Sequence, residues 1–169
     1  NNTFWINHHF KLMDNISMST YTGTEYNRIG KSSTDLFRYS SFDGNGKVIS
    51  NLTYSNASTG QIGVFGYVRN THIGNLGLHN PNFMGGNGYV GGIIGNMQPI
   101  SVLHNSYVKG GRIQGTQYVG GVLGYTGAAY SSNLYSTSTV SGTISVIGGL
   151  IGTTCLLYTS PSPRDRQKS

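Results

Sequence analysis

A glycine, two large apolar residues and a second glycine recur four times along the chain, as Gly63-Val-Phe-Gly66, Gly92-Ile-Ile-Gly95, Gly121-Val-Leu-Gly124 and Gly149-Leu-Ile-Gly152. Their first glycines lie 29, 29 and 28 residues apart. Other positions keep phase: Tyr89 and Tyr118 stand three residues before the motif, Gly91, Gly120 and Gly148 one before, and Leu78, Tyr107 and Tyr135 fourteen before. Asn75, Asn105 and Asn133 precede it by 17, 16 and 16 residues. Self-similarity at a fixed period signals a stack of like units that bury a shared core. The period is too short for a propeller blade and lacks the helical pattern of tetratricopeptide or ankyrin repeats.

Short apolar runs separated by Gly, Asn, Ser and Thr read as several short strands per repeat. The fold expected is therefore all-β, a parallel β-solenoid (β-helix) with coils of about 29 residues. In such a stack each strand pairs with its equivalent one coil on, about 4.8 Å away, so equivalent side chains lie above one another. Asn75, Asn105 and Asn133 would then form an amide ladder, and the phased tyrosines aromatic stacks. Glycines beside the two apolar residues would allow positive φ and a close backbone approach. Adjacent strand residues face opposite sides. The motif therefore predicts a bend, with one of its two apolar residues only partly covered.

Composition agrees. Gly, Ser, Thr and Asn make up 78 of 169 residues and charged residues only 16, which suits neither a helical bundle nor a typical cytosolic α/β enzyme. Twelve Tyr, six Phe and one Trp argue against disorder. The net charge of +6 is not a basic face: from Gly44 to Thr154 the bases are Lys47, Arg69, Lys109 and Arg112, and there is no acid at all. Nucleic-acid binding is not expected from so dispersed a set, and no apolar run approaches membrane-spanning length. The opening Asn1-Asn2-Thr3, without Met or a signal pattern, reads as the start of a fragment. Residues 155–169 break with everything upstream and bring in the sole cysteine; Cys155 to Asp165 resembles a translated sequencing-library adapter, so this tail is read as non-native read-through. Without it the net charge is +4 and no cysteine remains, as suits a surface protein that needs no disulfide.

Residues 1–43 keep the theme irregularly, as a first coil or N-terminal cap, and 44–154 carry the repeats. The run Phe42-Asp-Gly-Asn-Gly-Lys-Val-Ile-Ser-Asn-Leu52, with Gly63-Val-Phe-Gly66, Ile73-Gly-Asn-Leu-Gly-Leu78 and Tyr89-Val-Gly-Gly-Ile-Ile-Gly95, resembles the GLUG-repeat proteins. The resemblance spans residues 10–152. It implies a right-handed solenoid, in keeping with the usual hand of parallel crossovers, in a large secreted or surface-anchored bacterial protein. Such proteins are similar in layout to adhesins and to the repeat regions of immunoglobulin A peptidases. No catalytic residue carries over, because the peptidase chemistry of that family sits in a separate metalloprotease domain, and no His-Glu-x-x-His occurs here.

No cofactor or metal site is read from the chain. His8 and His9 are adjacent and would point apart on a strand, and His72, His79 and His104 share no phase. Asp14, Glu25, Asp35 and Asp43 could furnish the carboxylate pair of a glycan-cleaving enzyme if two converged within about 10 Å in a groove; the reading preferred for them is as turn-forming or capping acids, since Asp14 and Asp43 stand in turn contexts. Tyr67, Tyr89, Tyr118 and Tyr125 are the candidates for stacking on sugar rings, against the simpler role of cross-strand packing. The function expected is a non-enzymatic repeat module, extracellular or on a bacterial cell surface, serving as a stiff spacer or as an adhesive stalk for a host glycan or surface protein, with the solenoid continuing at both ends. The alternatives are a carbohydrate-active β-helix enzyme or the repeat region of a large secreted metalloprotease.

Overall fold

A computed structural model describes residues 4–155 apart from 22, 24 and 59; the adapter-like tail beyond Cys155 lies outside the described residues. Among those residues there are short strands and no helix. Strands pair in parallel with their equivalents about one period away: Tyr89 with Tyr118, Ile94 with Leu123, Phe83 with Ile113. Four sheets result.

Sheet I has eight strands. His9–Lys11, Ser41–Asp43 and His72–Gly74 form one column, Ile16–Ser17, Val48–Ser50 and Gly77–His79 a second, and both merge in Val102–Lys109 and Tyr130–Ser136. Sheet II stacks Thr53–Asn56, Asn82–Gly85, Arg112–Gly115 and Thr139–Gly142. Gln61–Ile62, Tyr89–Gly91, Tyr118–Gly120 and Ile147–Gly148 make sheet III, and Phe37–Arg38, Phe65–Arg69, Ile94–Met97, Leu123–Thr126 and Ile151–Thr154 sheet IV. The chain visits the sheets in the order I, II, III, IV and returns, which makes a parallel β-solenoid of about five turns.

Inward side chains stack into apolar columns: Phe42, Ile73 and Leu103; Ile49, Leu78 and Val108; Tyr54, Phe83 and Ile113; Ile62, Val90 and Val119. The repeated motif supplies two further columns. The chain bends at Gly63 and Val64 before the strand starts at Phe65, so both apolar residues turn inward. Val64, Phe65, Ile93, Ile94, Val122 and Leu123 are all buried, which corrects, for the first three motifs, the expectation that one of each pair would be partly covered; Leu150 and Ile151 of the fourth are both half-buried.

The motif glycines other than Gly149 serve close approach. A Cβ on Gly92 would sit 2.5 Å from the Gly121 carbonyl oxygen, and one on Gly121 would sit 2.3 Å from that of Gly149; neither contact is sterically possible. None of these glycines has positive φ. The left-handed corners belong instead to Asn51, Asn75, Asn80, Asn105 and Asn133, with φ between 47° and 57°, a region that asparagine tolerates because its amide can bond locally.

The first turn is incomplete. Its strands His9–Lys11, Ile16–Ser17 and Phe37–Arg38 pair with the next coil in sheets I and IV, while among the described residues no strand of this turn joins sheets II and III. Side chains meet the edge groups there: the Tyr26 hydroxyl donates to Val64 O at 2.7 Å, and the buried Arg28 guanidinium donates to Gln61 O and lies 4.9 Å from the centre of the Tyr54 ring. An apolar cavity of about 200 Å³ remains between Leu12, Met18, Tyr26 and Ile49.

Candidate functional site: a polar groove along an asparagine ladder

The outer surface of sheet I holds the chemistry. Its two strands per coil meet at an asparagine corner, and left-handed backbone in successive coils brings the corner amides into line. Asn133 Nδ2 donates to Asn105 Oδ1 at 2.9 Å, and Asn105 Nδ2 donates to Asn75 Oδ1 at 3.2 Å. The expected ladder is therefore present. Its last rung is an acid: Asn75 Nδ2 donates to Asp43 Oδ1 at 2.9 Å, where the Asn45 backbone N–H also donates at 2.8 Å. A carboxylate can only accept, so Asp43 fixes the direction in which every amide of the ladder points. The Asn75 amide above all, then the Asn45 N–H, and beyond them the Lys11 ammonium 3.9 Å away, hold the Asp43 carboxyl below its ordinary value.

Glycines flank the ladder in one coil and rings in the next. His104 lies over Gly74, where a Cβ would come within 2.4 Å of the imidazole, and Tyr107 lies over Gly77, where a Cβ would meet ring carbon at 2.7 Å. Tyr135 stacks on Tyr107 at 4.8 Å with planes 3° apart, and His79 bonds the Tyr107 hydroxyl at 3.1 Å. Burial, and then Tyr135, push the Tyr107 phenol up.

Two hollows open on either side of Asn75. The larger, about 300 Å³, lies between the ladder, the Asn45-Gly46 turn and Tyr107. The smaller, about 190 Å³, lies between Ser41, Asp43, His72 and His104. Asp43 borders both and is the one acid that lines either. Asp14 sits in an exposed turn, bonded to the Asn15 N–H, and Glu25 is exposed. Among the described residues no three of His, Cys, Asp and Glu gather as a metal-holding group.

The tyrosines singled out from sequence meet elsewhere, where sheets III and IV adjoin. Tyr89 and Tyr118 stack at 5.0 Å, and Tyr125 lies 5.1 Å from Tyr89 at a tilt of 49°. Tyr67 stands two coils from Tyr125 in sheet IV with the buried Asn96 between them. All four are half-buried. No histidine pairs with another in register, since His72 pairs with Val102, His79 with Lys109 and His104 with Gly74, yet His72 and His104 border the same smaller hollow; His9 Nδ1 bonds Ser41 Oγ at 2.7 Å.

The groove escaped sequence reasoning because its register slips. Counting back from the motif aligns Leu78 with Tyr107, whereas the structure pairs Leu78 with Val108 and Gly77 with Tyr107. The turn at 86–88 is one residue longer than its counterpart at 116–117, and the shift accumulates upstream of it. The available signal was glycine in one repeat opposite an aromatic residue in the next. No family model, curated protein or solved structure matches the chain.

Proposed function

We propose that this chain is a non-enzymatic spacer module of a secreted or surface-anchored bacterial protein, as its resemblance to GLUG-repeat proteins implies. The observation that carries the reading is the unbroken stack of parallel coils. Backbone hydrogen bonds run along the long axis in four sheets, and apolar columns fill the interior from Phe42 to Leu123. Bending such a body means opening several rows of hydrogen bonds at once, so it resists bending in every direction. Support for the absence of catalysis comes from Asp43, which is engaged by Asn45 and Asn75 and faced by Lys11. Acid–base chemistry across a sugar bond needs a second carboxyl group in the same groove.

Single-molecule pulling on the chain tests the mechanical claim. Coils should release in steps of roughly 90 Å, the extended length of about 29 residues less one inter-coil spacing. Gradual stretching at low force would show that the coils are not a cooperative stack and would end the spacer reading.

A further inference from the structure

We propose that the larger hollow on sheet I is a binding site for a neutral oligosaccharide lying along the solenoid axis. Gly77, beneath the Tyr107 ring, lines its base; one wall is the amide ladder, the other is Tyr107, and the Asn45-Gly46 turn with Asp43 closes the end. The hydrogen-bonding inventory selects the ligand. An asparagine amide has two N–H donors and an oxygen with two lone pairs. In Asn75 and Asn105 the ladder uses one N–H and one lone pair, which leaves one of each per coil, repeated at about 4.8 Å. Asp43 Oδ1 is filled by Asn45 and Asn75, so Oδ2 is the acceptor turned toward Lys11.

A row of paired donors and acceptors beside an aromatic wall matches hydroxyl groups, each of which both donates and accepts. Other classes fit less well. No Lys, Arg or His lines the hollow to hold an anion, its carboxylate is already faced by Lys11, and its ladder wall is too polar for an acyl chain. The site is distinct from the tyrosine corner, and it stands apart from the spacer reading: a stiff rod that binds no glycan would leave that reading intact.

The test is a titration of the isotope-labelled 169-residue chain with cellohexaose, chitohexaose and maltohexaose, with a polygalacturonate hexamer as the charged control, followed by amide NMR shifts. At least one neutral hexamer should move the Asn75 and Asn105 side-chain amides at millimolar concentration. Gly46→Asn provides the blocking variant. Gly46 has φ +69 and nothing within 4 Å of a Cβ, so asparagine fits the backbone and projects into the mouth of the groove. Affinity should fall about tenfold or more, equivalent to about 1.4 kcal/mol, while backbone dispersion stays native. The proposal is overturned if no neutral hexamer moves those amides, if only the acidic hexamer binds, if the shifts centre on Tyr89, Tyr118 and Tyr125, or if folded Gly46→Asn binds undiminished.

Discussion

Asp43 does more than any other polar residue to organise the sheet I surface. Sequence comparison of repeats made Asn75, Asn105 and Asn133 legible as a ladder, because each sits at nearly the same distance from a motif. Asp43 was not legible as the terminal rung, since the turn at Gly44 to Lys47 replaces the asparagine corner in its coil. Its depressed carboxyl pKa has a definite consequence. A group more acidic in the folded state than in the unfolded one stabilises the fold while ionised, and that stabilisation is lost as pH falls from the ordinary carboxylate range, about 4, through the lower folded value. Thermal melts from neutral pH downward should therefore show an acid-side decline that is shallower in Asp43→Asn. At neutral pH the variant should be the less stable of the two. Identical acid limbs would mean that the carboxylate's hydrogen bonds add nothing to the fold.

The four-residue glycine motif behaves as a corner made by contact between coils. Spacing alone was enough to reveal the coil and its apolar pair. It could not show whether the glycines serve φ or proximity, since both demand a missing Cβ; none of them has positive φ, and backbone atoms crowd all but Gly149. A Cβ on Gly95 would lie 2.8 Å from both Ile62 N and Ile62 O, backbone atoms that cannot rotate away. Gly149, in the last described coil, has nothing within 4 Å among the described residues. Gly95→Ala should thus destabilise by about 3 kcal/mol or more, at the upper end of overpacking costs, while Gly149→Ala should be nearly silent in the same urea melts. Equal effects would contradict the close-approach role. Strand boundaries were less legible than the motif, because strands of two to four residues leave periodicity little room to register.

Taken as a whole, the solenoid is tightest in its middle coils and looser at both described ends: in the last coil Leu134, Val140, Leu150 and Ile151 are only partly buried and Ile144, Val146 and Ile147 are exposed. Phe65, Ile94, Leu103, Ile113 and Leu123 are fully buried, whereas the first turn, among its described residues, has strands in two of the four sheets, uses Tyr26 and Arg28 for edge hydrogen bonds, and borders an apolar cavity. Opening free energy follows such differences in packing. Amide hydrogen exchange should therefore release Leu12 and Met18, whose N–H groups bond the second coil, well before Ile93 and Tyr107. The stacking of coils is the premise on which the spacer, the ladder and the groove all depend. Scalar couplings across hydrogen bonds test it most directly, since they report which amide donates to which carbonyl. The structure predicts cross-peaks from Tyr107 N to the Leu76 carbonyl, Ile93 N to Val122 and Val122 N to Leu150. Couplings confined to neighbouring strands in the antiparallel hairpin pattern, with those three missing, would contradict the solenoid.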